Sequence, residues 1–293
     1  MHKEGDALLI QQPVYYPFRE VIEDNGRIFV NNQLHYEDGK YTIDFEDFEK
    51  KIVDNNVKVF ILCNPHNPVG RVWTKEELEK MGDICLKHNV VIMDDEIHCD
   101  FTYPGFKFTS FMTLDKKYHN SLVLYTSPSK TFNVAGLQPA NIIIKNQELR
   151  AAYRKANVAA GYSQGSIMGQ VAVKSVYTKG DEWVNELVEY ITGNMNYMRD
   201  FVKENFPKAQ FVDPEGTYLT WVDFSGYGFT DEELEIARSV DLVSIAERQG
   251  FTVKRVGSYY TLKEHDSIRI KNRRSWLRFS VPEGQDGHNG DNI

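Results

Sequence analysis

Short apolar runs recur along the first half of the chain, each bounded by turn-forming residues: 8–10, 57–63, 90–93, 122–125 and 141–144. Near-continuous Val, Ile and Leu suit strands covered on both faces, as in a parallel sheet. Helical patterns alternate with these runs. Residues 45–52 place Phe45, Phe48 and Ile52 on one face behind a candidate cap, Asp44. Thr74 and Glu77 form a capping box that predicts a helix to about His88, with Leu78, Met81, Ile84 and Cys85 facing inward. Alternating strand and helix predict an α/β fold: a mainly parallel sheet flanked by helices, with right-handed crossovers.

The pattern changes after residue 160. Residues 181–206 read as one long amphipathic helix with Trp183, Leu187, Ile191, Met198 and Val202 at spacings of three or four. Residues 216–224 read as a strand, Thr230 and Glu233 as a second capping box opening a helix to about Gly250, and 251–253 as a short strand. The expected organisation is a large domain over 1–160, then the long helix and a smaller α+β domain over 161–281. Residues 282–293, PEGQDGHNGDNI, hold one apolar residue and are expected to be a disordered tail. A strand-like run begins almost at residue 1, and IRIKNRRSWLRF precedes the tail. These features suggest a chain that starts late and ends irregularly.

Composition narrows the class. The 293 residues are 41% hydrophobic and 26% charged, ordinary values for a chain that buries a core. A net charge of −8 without a basic block argues against nucleic acid or an anionic membrane as partner. No apolar run reaches the ~20 residues of a membrane span, and the N-terminus does not read as a signal peptide. Cys63, Cys85 and Cys99 lack CxxC spacing and read as reduced thiols of a cytoplasmic protein.

Three constellations carry candidate chemistry, each at the end of an apolar strand, where open α/β sheets bind ligands. The first, Asn64-Pro-His-Asn-Pro-Val-Gly70, is a rigid irregular turn. The second is Met93-Asp-Asp-Glu-Ile-His98. Its carboxylates could ligate a metal, face a protonated ring nitrogen, or form a solvated acidic turn. The third is Ser127-Pro-Ser-Lys130-Thr-Phe-Asn-Val-Ala-Gly136. A lysine framed by serines suits a Schiff base beside a phosphate, whereas the glycines of a P-loop are missing, so ATP is not expected.

The order Asn, Asp, Lys, spaced by about one strand–helix unit each, resembles the fold-type I pyridoxal-phosphate enzymes, the aspartate aminotransferase superfamily. The wording of Pro13-Val-Tyr-Tyr-Pro-Phe18, NPHNPVGRVW, DDEIHCDF, SPSKTFNVAGLQ and PEGTYLTWVDF is closer still to its C–S lyase branch, the MalY/PatB-type cystathionine β-lyases. The resemblance runs from about residue 4 to about residue 260.

The resemblance implies pyridoxal 5'-phosphate as cofactor and a role for each matching residue. Lys130 would hold the cofactor covalently and move the substrate Cα proton. Asp95 would pair with the pyridine nitrogen, since the family pattern Asp-Glu-Ile-His falls on 95–98. Asn67 would hydrogen-bond the phenolic oxygen, with His98 near it. Tyr15, or alternatively Tyr16, would stack on the ring. Ser127 and Ser129 would bind phosphate. Gln138 stands where many aminotransferases carry an arginine, which leaves phosphate binding to neutral donors. A guanidinium for the substrate carboxylate is expected at Arg269, with Arg278 the alternative.

The implied activity is cleavage of S-substituted cysteines to pyruvate, ammonia and a thiol by a homodimer. An aminotransferase of the same superfamily stays open, as does a non-catalytic protein that keeps the fold. Relatives carry an N-terminal segment and a closing amphipathic helix that this sequence lacks. A shifted reading frame or a fragmentary gene near residue 260 would explain the C-terminal difference.

Overall fold

The computed structural model describes residues 4–37, 39–162, 165–229, 253–256, 259–262, 266–270 and 276–280. The expected helix over 230–250, the turn at 257–258 and the tail 282–293 lie outside the described residues.

The chain divides into two compact units, residues 1–190 with 215–217, and residues 191–214 with 218–293. The first unit contains β1 (Ala7–Ile10), α1 (Pro17–Asp24), β2 (Ile28–Asn31), β3 (His35–Glu37), β4 (Lys40–Thr42), α2 (Phe45–Asp54), β5 (Val59–Cys63), α3 (Lys75–Lys87) and β6 (Val91–Asp95). It continues through β7 (Leu122–Thr126), β8 (Asn141–Ile144), α4 (Gln147–Ala159), α5 (Ile167–Lys179) and the first part of α6 (Asp181–Asn205). The main sheet has the order β2-β1-β5-β6-β7-β8. All its pairings are parallel except β7 with β8, which is antiparallel. The apolar runs fill its interior: all four residues of β1 are buried, with Val59, Phe60, Leu62 and Ile92 fully enclosed.

Both helix starts form as the sequence dictates. Asp44 accepts from the Glu46 and Asp47 amides at 3.0 and 2.9 Å. Thr74 and Glu77 satisfy each other's amides at 3.2 and 2.8 Å, which occupies two of the donors that a helix start leaves open.

The second unit contains the rest of α6, then β9 (Gln210–Val212), β10 (Leu219–Asp223), β11 (Val253–Val256), β12 (Tyr259–Leu262), β13 (Asp266–Ile270) and β14 (Trp276–Ser280). Its sheet has the order β11-β12-β13-β14-β10-β9 and is antiparallel throughout. Met198 and Val202 of α6 pack with Val222 and Phe224 as its core.

A buried guanidinium organises the turn that follows β5. Arg71 is 3% exposed. Its Nε donates to Glu215 Oε2 at 2.8 Å, its Nη2 reaches both Glu77 oxygens at 3.0 and 2.9 Å, and its Nη1 donates to the Tyr41 carbonyl. Glu215 also accepts from the Val72 amide at 2.9 Å and faces Lys40 at 3.1 Å. The Glu215 and Gly216 amides donate to the Gly70 carbonyl at 2.8 and 2.9 Å. Only glycine fits at 216, because a Cβ there would lie 2.5 Å from the Phe101 carbonyl oxygen. Arg71 thus holds residues 215–217 against the turn 64–70.

Replacing Arg71 with Met would remove the buried cation from Glu215 and Glu77 and the donor from the Tyr41 carbonyl, leaving Glu215 with Lys40 and the Val72 amide. The expected loss is about 3–5 kcal/mol of stability, read by urea unfolding. Arg71→Lys should recover little of it, since one ammonium cannot span three acceptors on different segments.

Candidate active site

Parallel register places three strand ends side by side. Cys63 of β5 is level with Asp95 of β6, which is level with Tyr125 of β7. The Asn64 amide donates to the Asp95 carbonyl at 3.0 Å and the Glu96 amide to the Tyr125 carbonyl at 2.9 Å. The Asn67, Asp95 and Lys130 turns therefore leave one edge of one sheet.

Asn67 is buried in a turn held by the His66–Arg71 bridge and by its own amide, which donates to Cys63 Sγ at 3.3 Å. Its Nδ2 lies 3.3 Å from Nε2 of the buried His98, bringing together two residues that lie 31 apart in the chain. Asn67 Oδ1 is buried with no hydrogen-bond partner among the described residues. Nδ2 has a second proton beyond the one it directs at His98. A buried amide with this much unfilled capacity marks a place for a polar ligand.

Asp94 and Asp95 are adjacent on β6 and so face opposite sides of the sheet. Asp94 is fully enclosed, and burial, followed by the charge of Glu96, pushes its carboxyl well above the usual range. Glu96 is raised chiefly by burial while accepting the Phe111 amide at 3.0 Å. Asp95 is also raised, by burial first, with the Ile97 amide at 3.1 Å and the positive charge of Lys130 pulling the other way. Asp95 is thus the carboxylate of the three that feels the lysine. Among the described residues no cluster of three His, Cys, Asp or Glu side chains could hold a metal ion.

Lys130 is half-buried in the turn after β7. Ser127 and Ser129 shape that turn. Their hydroxyl oxygens lie 2.7 Å apart, the Ser129 amide donates to Ser127 Oγ at 3.1 Å, and the Ser127 hydroxyl donates to the Pro139 carbonyl at 2.6 Å. The Ser127 proton is thereby committed within the turn. Gln138 is exposed, with a left-handed backbone at φ 51°.

Tyr15 follows the carboxyl end of β1 and packs edge-on against Phe18 and at a tilt against Tyr16. The residue remains 38% exposed. Arg269 and Arg278 belong to the second unit, where they are direct register partners on β13 and β14.

Two buried groups of this region escaped the sequence reading. Glu215 lay inside the quoted PEGTY stretch, but nothing local announced an ion pair with a residue 144 positions away. His66 lies inside the Asn-Pro turn and stacks edge-on against Trp73, with Nε2 3.1 Å from the Gln11 carbonyl. Burial pushes it down to about 3, so it is a neutral donor that ties this turn to the end of β1.

The sequence profile of the aminotransferase class I and II family matches residues 1–289. Cystathionine β-lyase PatB of Bacillus subtilis is 43% identical over 231 residues, covering 79% of this chain and 60% of the relative. Cystalysin of Treponema denticola, whose crystal structure contains a pyridoxal 5'-phosphate cofactor, is 38% identical with a TM-score of 0.77, covering 80% of this chain and 61% of that one. The pyridoxal-phosphate-bound C–S lyase of Staphylococcus hominis is 32% identical with a TM-score of 0.79, covering 96% of this chain and 67% of that one. The chain thus spans about 60% of the length of PatB and cystalysin. With a profile match over nearly its whole length and this α/β architecture, the chain belongs to the aminotransferase class I and II family.

Proposed function

We propose that the protein is a pyridoxal 5'-phosphate-dependent carbon–sulfur β-lyase that cleaves S-substituted cysteines of the cystathionine type to pyruvate, ammonia and a thiol. The observation that carries this reading is the level placement of the Asn67, Asp95 and Lys130 turns at adjacent strand ends of one sheet, in a sequence 43% identical to a cystathionine β-lyase. The residues fit the cofactor. The unfilled capacity of Asn67 suits its phenolic oxygen, and the half-buried Asp95 carboxylate suits its ring nitrogen. In the turn 127–130 the Ser129 hydroxyl suits its phosphate as a neutral donor, whereas the Ser127 hydroxyl is engaged with the Pro139 carbonyl.

When bound, the cofactor supplies an electron-withdrawing ring that stabilises negative charge developing at the substrate Cα. The side chains do the rest. Lys130 would hold the cofactor through its amine, and that amine, when free, would serve as the base for the substrate Cα proton. Asp95, as an anion, would hold the cofactor's ring nitrogen and favour a proton on it. Asn67 and His98 would bind the cofactor's phenolic oxygen, and Tyr15 would stack on its ring. Arg269, with Arg278 the alternative, is proposed for the substrate carboxylate, whose planar shape a guanidinium matches with two hydrogen bonds. The active form is proposed to be a homodimer acting on a small amino acid. Among the described residues, no helix is long and apolar enough to cross a membrane.

An aminotransferase is the second reading, favoured by the family profile. Cofactor uptake tests what the two readings share, and the need for a keto acid decides between them. Protein mixed with pyridoxal phosphate should turn yellow and release pyruvate and a thiol from cystathionine without added keto acid, while Lys130→Ala should stay colourless and inactive. Turnover that strictly requires a keto acid would overturn the lyase.

The two neighbouring aspartates should respond in opposite ways. Asp95→Asn removes the ring-nitrogen anion and should lower kcat by about 10²-fold or more in steady-state assays. Asp94 has its folded-state carboxyl raised above the unfolded value, so the folded state holds the extra proton and loses stability as pH rises above about 4. Asp94→Asn mimics the neutral acid. In denaturant titrations at pH 5 and pH 8 it should retain stability better than the wild type at the higher pH.

A further inference from the structure

Two residues inside the quoted motifs have no role in the reading above. Asp100 closes the turn that begins at Asp95, and Thr131 follows Lys130. The Thr131 hydroxyl donates to Asp100 Oδ2 at 2.6 Å, the short length of an O–H bond to a carboxylate. Thr131 is 1% exposed, so water offers this hydroxyl no substitute. The Thr131 carbonyl is engaged as well, accepting from Trp183 Nε1 at 3.2 Å. The bond joins two internally braced turns. On one side the Ile97 amide is held by Asp95 Oδ1, the Cys99 amide by the Glu96 carbonyl, and the Phe101 amide by the His98 carbonyl. On the other side the Phe132 amide meets the Pro128 carbonyl at 2.9 Å and the Val134 amide meets the Ser129 carbonyl at 3.2 Å, with Asn133 at φ 51°.

We infer that Asp100 is a positioning residue for Lys130, acting through Thr131 as a latch between the two turns. Asp100 and Thr131 contribute no reacting atom. The register of β6 with β7 sets the two turns side by side, but a lysine on a turn has its backbone free to tilt unless something beyond the strand holds it. The latch supplies that hold one residue from Lys130, and ties it to the same short turn that carries Asp95 and His98. The amine that must reach the Cα proton is thereby kept in fixed relation to the carboxylate that faces the ring. This inference rests on the proposed function for its catalytic consequence, and on geometry alone for the latch.

The test uses the whole 293-residue chain with four changes: Thr131→Val, Asp100→Ala, the two combined, and Thr131→Ser, which keeps the hydroxyl. Hydrogen exchange of the peptide 127–136 reads the latch with no cofactor chemistry. It should accelerate about tenfold or more in Thr131→Val and Asp100→Ala, no further in the double variant, and return to the wild-type rate in Thr131→Ser. Borohydride trapping of pyridoxal phosphate on Lys130, followed by peptide mass spectrometry, should slow about tenfold in the same variants and recover with serine. With cystathionine, kcat should fall about tenfold or more while KM moves less than about threefold. Wild-type exchange in Thr131→Val, or additive effects in the double variant, would overturn the latch. Failure of serine to rescue would also overturn it, by assigning the effect to methyl packing. A wild-type protein that traps no cofactor on Lys130 would defeat the proposed function instead, and the exchange comparison would still decide the latch.

Discussion

The parallel register of β5, β6 and β7 is the constraint on which the site depends. Parallel strands hydrogen-bond with all their carboxyl ends at one edge, so any chemistry placed just after each strand is gathered there. In this protein the level set Cys63, Asp95 and Tyr125 fixes where the following turns begin. A shift of one residue in β6 would exchange Asp94 for Asp95 across the sheet, putting the enclosed carboxyl where the lysine is and the lysine-facing one in the interior.

Burial on both faces makes this edge electrostatically demanding. Asp94, Asp95 and Glu96 follow one another where the sheet enters the interior, and burial raises all three. They are separated by environment. Asp94 is enclosed, Glu96 receives a backbone amide, and Asp95 has an amide and a lysine charge in reach. Arg71 resolves a related problem elsewhere in the same unit. It is a buried cation whose cost is met by carboxylates from α3 and from residue 215 together with a backbone carbonyl. What holds the functional turns is therefore a set of polar contacts between segments remote in sequence, laid over a continuous apolar sheet.

The elements legible in advance were those with strong local signals. Asp44 and Thr74 start helices because a side-chain oxygen reaches amides two or three residues on, a contact local to the sequence. The long apolar strands were equally plain. The short strands β2, β3 and β4 were not, since runs of three or four residues with at most one buried side chain each carry little periodic signal. α4 escaped for a similar reason: it buries no residue, so no apolar stripe marks it, although Asn146 caps it. The antiparallel direction of β8 could not be read from four apolar residues, because direction depends on where the chain turns and not on composition. The helical α6 with its buried Met198 and Val202 was visible from spacing alone.

By itself the sequence determined the alternation of strand and helix, the helix starts, and the identity of the three strand-end motifs with Asn67, Asp95 and Lys130, because each depends on neighbours a few residues away. The tertiary structure alone decided which groups meet. Asn67 with His98, Thr131 with Asp100 and Arg71 with Glu215 are contacts 31, 31 and 144 residues apart. Such pairings depend on strand order and register, which emerge only when the whole sheet closes its hydrogen bonds and buries its apolar faces together. The same closure gave the two adjacent aspartates different surroundings, enclosing Asp94 and leaving Asp95 within reach of the lysine's charge.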